Sequence, residues 1–129
     1  MNVELLTRVR DQILSEPTSL DMSVFIAGGV RAERQHGWPP PRCGTMACIA
    51  GWAVILKRGV DRAFESDDVW TTARNDLEIT SVQSTALFMS SMWPEPFNAQ
   101  YKAAKKSKDA RTLARITANR IDHFIREKE

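Results

Sequence analysis

Residues 43–53 read CGTMACIAGWA, and the reading of this stretch decides the fold. From Thr45 to Leu56 no residue is charged. A helix that is apolar on every face belongs at the buried centre of a domain. Gly44, Ala47, Ala50, Gly51 and Ala53 are small enough to let neighbouring elements approach closely. Lys57, Arg58 and Gly59 then give a basic last turn and a glycine stop. The expectation is a buried central helix over residues 45–56, with Cys43 at or just before its start.

Helical patterns surround this centre. Val3, Leu6, Val9 and Ile13 recur at helical spacing, widened by Leu5 and Leu14, with Asn2 as cap and Pro17 as stop. Leu20, Met22 and Val24 alternate, which fits a short extended piece, and a brief helix from Asp21 fits as well. RAERQHGWPPPR, residues 31–42, reads as a surface loop carrying His36 and Trp38. Residues 60–66 read as a connector. Ser66 or Asp67 caps a helix striped by Val69, Trp70, Ala73 and Leu77. Thr80 and Gln83 form a capping box for a helix carrying Val82, Ala86, Leu87, Phe88 and Met89. Pro94 and Pro96 end it, and a further helix covers residues 97–105. The last helix starts near Ser107 or Asp109, with Ala110, Leu113, Ala114, Thr117, Ile121, Phe124 and Ile125 inward and Arg111, Arg115, Asp122 and Arg126 outward. No strand pattern competes. Residues 1–129 therefore read as one compact all-α domain of about five or six helices.

Composition narrows the function classes. The 129 residues are 43% hydrophobic and 26% charged, enough for a core without disulfide or metal. No apolar run reaches the length of a membrane span. The first residues, MNVELLTRVR, lack the apolar segment of a signal peptide. With two cysteines, the expected setting is reducing and cytoplasmic. The net charge of +2 conceals a segregation. Residues 61–99 carry two Lys/Arg and seven Asp/Glu, whereas residues 100–129 carry nine and four. The last segment therefore attracts an acidic partner, or simply presents a solvated basic face.

The two cysteines set the chemical alternatives. On one helix, positions five apart point about 140° from each other, which serves neither a zinc site nor a disulfide. A Cys2His2 set with His36 and His123 matches no finger spacing. The sharper alternative is a nucleophile. A helix N-terminus lowers a thiol pKa, so Cys43 becomes the weak catalytic candidate, with His123 or His36 as base. Cys43-Gly44-Thr45 loosely resembles the C-G-S-C-W stretch of papain-like proteases, which implies a cysteine hydrolase. Here the second cysteine falls two residues late, and no strands offer the sheet domain those enzymes use. The preferred reading has Cys48 as a small buried hydrophobe and Cys43 as a cap or pre-helix residue. Neither a phosphate loop, a paired-carboxylate site nor an HExxH motif is present, so no metal and no cofactor are expected.

Residues 67–90 resemble a helix-turn-helix, which makes DNA binding an alternative, with backbone contacts from Lys105, Lys106, Lys108, Arg111 and Arg115. Glu78 stands where the usual turn glycine is expected, and the second helix has no Lys or Arg. The blocks CGTMACIAGWA, QSTALF, WPEPF and RIDHFI, in this order, also resemble a set of small uncharacterised proteins from bacteria and their phages. That resemblance implies a compact helical domain and a phage or mobile-element setting, with no activity attached. The residues and the resemblance together point to a non-enzymatic protein-binding module, such as an inhibitor of a host complex. Its expected contacts are Trp38 with Arg111, Arg115, Lys105 and Lys106. Another protein is the expected partner, nucleic acid the lesser alternative, and no membrane is expected. The sequence leaves the oligomeric state open.

Overall fold

The computed structural model describes residues 1–28 and 43–128. Among them are seven α-helices: α1 (Val3–Ser15), α2 (Ile49–Arg58), α3 (Val60–Glu65), α4 (Val69–Leu77), α5 (Ser81–Phe88), α6 (Phe97–Ser107) and α7 (Ala110–Lys128). Two short strands, β1 (Ile26–Gly28) and β2 (Thr45–Ala47), pair antiparallel. The chain is thus compact and mostly α. The expected loop at 31–42, with His36 and Trp38, lies outside the described residues.

Three boundaries depart from expectation, and at one of them α4 is capped not by Ser66 or Asp67 but by Asp68, whose carboxylate accepts from the Thr71 amide at 3.0 Å. Residues 45–47 are not the first turn of the central helix but the strand β2. It pairs Met46 with Ala27 and Ala47 with Ile26, and Leu20 bridges to Ala47 from the other side. The central helix begins only at Ile49. Cys48 is its cap, its sulfur accepting from the Gly51 amide at 3.5 Å. The segment at 60–66, expected to be a connector, contains α3.

Gly51 explains why the chain folds this way around α2. A Cβ placed there would overlap the carbonyl oxygen of Phe25 and lie 2.8 Å from the Ala47 Cβ. Only a bare backbone lets the 20–28 segment cross α2 at this distance. The crossing is held by Cys48 N donating to Val24 O at 3.2 Å and Asp21 N to Ala47 O at 3.1 Å. Trp52 Nε1 reaches Ser19 O at 2.9 Å, anchoring the turn Pro17–Ser19. Ile49, Ala50, Ala53 and Val54 are fully buried, as the uncharged stretch requires.

The other helices pack around this centre. α1 buries Leu5, Leu6, Val9 and Ile13 against α2 and α7, whereas Leu14 is exposed. Asn2 caps α1 through the Leu5 amide at 3.0 Å, and its own amide donates to Leu77 O of α4 at 2.7 Å. Arg58 grips Asp76 with two 2.8 Å hydrogen bonds, tying α2 to α4. The Thr80–Gln83 capping box forms as its spacing predicts. Its helix, however, buries Ser84, Leu87 and Phe88, leaving Val82 80% exposed. Ser84 sits inside because its hydroxyl takes the Trp70 indole N–H at 3.2 Å.

α4 and α6 end alike. Glu78 (φ 56°) and Lys108 (φ 57°) are left-handed. The following amides, Ile79 and Asp109, each reach back to a helical carbonyl, Arg74 O and Ala104 O, both at 3.2 Å. This is the Schellman stop that glycine usually fills. The turn glycine expected before α5 is replaced, but its conformation is kept.

Replacing Gly51 with alanine is expected to cost about 2–4 kcal/mol, read by urea unfolding, because the clash is with backbone. Gly28→Ala is the control, since a Cβ there meets nothing within 4 Å and the loss should be within about 1 kcal/mol. Glu78→Gly relieves a left-handed non-glycine residue. It is expected to raise stability by about 1 kcal/mol in the same assay.

Candidate functional site

Exposed cations lie on both sides of the turn from α6 into α7: Arg115 lines a groove between the two helices, whereas Lys105 lines a separate concavity with Asp21 and Lys108. Asp109 starts α7, accepting from the Thr112 hydroxyl at 2.6 Å and the Thr112 amide at 3.2 Å. Those two bonds, hydroxyl first, hold its carboxyl below the usual range. A carboxylate at a helix start also meets the positive end of the dipole. Lys105 and Lys106 lie in the last turn of α6, and Arg111 and Arg115 lie one turn apart on α7. All four are exposed. None is in an ion pair with a described residue. An open groove of about 400 Å³ runs between the two helices, with Arg115 in its lining beside Gln100, Ser107, Thr112 and Asn119. A cation flanked by amide and hydroxyl groups in a groove suits a carboxylate-bearing partner.

Other charged residues of α7 reach inward or to a neighbouring helix. Asp122 is not part of the outward face alone, since it takes Arg10 of α1 at 2.7 Å. Arg120 is 2% exposed. Its Nη2 donates to Ala86 O in the last turn of α5 at 3.1 Å, and its Nη1 meets His123 Nδ1 at 3.1 Å. The guanidinium lies 5.6 Å from the Phe124 ring centroid, and Nε has no partner. Burial pushes its pKa down from the ordinary arginine value. The negative end of α5 stands in for a carboxylate here.

Arginine only donates, so Nδ1 of His123 accepts and its proton is on Nε2, toward Glu127 at 3.3 Å. The ring also packs on Phe97 at 5.0 Å. His123 is therefore fully engaged within α6 and α7. Cys43 sits in the turn before β2, its thiol donating to Thr45 O at 3.3 Å and its amide to the Glu16 carboxylate at 3.1 Å. The premise that Cys43 opens the central helix is corrected: Cys48 occupies that position. No contact joins Cys43 to His123. Both cysteines are free, Cys43 exposed and Cys48 buried. Burial raises both thiols, with Glu16 adding to the rise at Cys43, and Cys48 reaches about 11. Among the described residues, no three His, Cys, Asp or Glu side chains gather as a metal-binding group. No helix among them is long and apolar enough to cross a membrane.

α4 and α5 are joined by the three residues Glu78, Ile79 and Thr80, as a helix-turn-helix would be. Its second helix presents Ser81 and Val82 outward and no cation. The sequence reading missed the inward turn of Arg120. Its position, seven after Leu113 and three after Thr117, places it on the buried stripe, which is the signal that would have found it. No protein-family model, no curated protein and no solved structure matches this chain.

Raised thiol pKa values mean that the unreactive thiol form persists to higher pH. Alkylation of native protein is expected to label Cys43 before Cys48, both with midpoints above the ordinary ~8.5. Cys48 should resist until the pH approaches about 11. Peptide mapping after timed alkylation reads both midpoints, and a Cys43 midpoint well below the ordinary value would revive the nucleophile.

Proposed function

We propose that this domain is a non-enzymatic binding module that takes an acidic protein segment along the α6–α7 face. The observation behind it is Arg115 in the lining of the open α6–α7 groove, with Arg111 one turn away on α7 and Lys105 and Lys106 in the last turn of α6, all exposed and none in an ion pair with a described residue. Exposed cations at a rim steer an acidic partner and fix its register. The acidic 61–78 stretch repels the same partner, so docking is one-sided. Trp38 remains a second proposed contact from outside the described residues. A cytoplasmic phage or mobile-element setting, with a host complex as target, rests on the resemblance of the sequence blocks alone.

DNA binding is the alternative, favoured by the three-residue turn between α4 and α5 and weakened by the cation-free α5. A titration with a polyglutamate peptide and with duplex DNA separates the two. Polyglutamate should bind and weaken as salt rises. Arg111→Glu combined with Arg115→Glu should weaken it about tenfold or more. Tighter retention by duplex DNA, or binding indifferent to both reversals, would reject the protein-binding reading.

A further inference from the structure

A second concavity lies on other elements than the basic groove. It is an open hollow of about 280 Å³ between the 22–25 segment, the start of α2, α4 and the end of α5. Met22, Phe25, Trp70, Phe88 and Met89 form its apolar walls. Phe25 and Met89 are 46% and 43% exposed, and at this concavity they stand together with Met22, Trp70 and Phe88 rather than singly.

Three observations define what fits. The first is size. A cavity of about 150 Å³ takes one benzene ring, so this one takes two fused rings but not a helix. The second is shape and polarisability. Trp70 and Phe88 meet edge to face at 5.1 Å, a wall suited to a third ring, and two methionines adapt around it. The third is charge. No described residue in the lining is charged, so an ionised ligand would lose its hydration without a partner. The hydroxyls of Ser90 and Ser91, also in the lining, make no hydrogen bond to a described residue and can meet one polar group.

We infer that this pocket binds a small, neutral, two-ring aromatic molecule carrying one hydrogen-bonding group. The site is separate from the basic groove and stands whether or not that groove takes an acidic partner. Indole is the probe. The described indole N–H groups, each hydrogen-bonded, report in a 1H–15N spectrum: the Trp70 ring lines the pocket, whereas Trp52 and Trp93, bonded to Ser19 O and Leu87 O, do not. Indole should shift the Trp70 signal saturably and leave Trp52 and Trp93 in place. Indole-3-carboxylate should bind at least about tenfold more weakly. Ser91→Trp and Met89→Trp, both at exposed positions, should block the response, with the unmoved Trp52 and Trp93 signals showing that each variant is folded. No saturable Trp70 shift at millimolar indole would overturn the inference. So would equal binding of the carboxylate, or an unchanged response in both folded variants.

Discussion

The close crossing of the Phe25 backbone over Gly51 is the constraint on which the other contacts depend. Because position 51 has no side chain, residues 20–28 lie directly on the start of α2. That places Val24 O within reach of the Cys48 amide and Ala47 O within reach of Asp21. The same placement aligns β1 with β2 and brings Ser19 O to Trp52. A two-stranded sheet of three-residue strands does not hold itself together. Here it is held because a helix lies beneath it at backbone distance.

A second organising contact joins the C-terminal half. Arg120 brings a charge into the interior and meets the carbonyl end of α5 rather than an acid. Trp93 takes the next carbonyl, Leu87 O, at 2.8 Å and packs edge-on to Tyr101 at 5.0 Å. The carbonyl end of α5 is thus satisfied by side chains from two other segments. Removing either would leave a buried carbonyl without a donor, which costs more than the bond itself contributes.

Much of the architecture was legible in the sequence. The uncharged run marked the buried centre, and the Thr80–Gln83 box, the Asn2 cap and the Gly59 stop all form where their residue types placed them. The start of α2 was not legible, because cysteine is an unusual cap and a three-residue strand is too short to show alternation. α3 was missed since six residues carry little periodicity. Arg120 was assigned to neither face of α7, although its spacing puts it on the inner stripe. Of the site, the exposed cations were readable as charge and helical phase. The grooves were not, since they exist only between segments far apart in the chain.

The distinctive blocks of this sequence turn inward. Gly51 and Trp52, Trp93 and Phe97, Arg120 and His123 are each occupied in holding the fold. The cations on the α6–α7 rim belong to none of these blocks. Surface exchanges of that kind usually leave stability nearly unchanged. A change in the sign or layout of these outer charges would therefore leave the fold in place and alter what it attracts. The shape is thus set by the buried residues, while the identity of a bound molecule would have to be read from the rim.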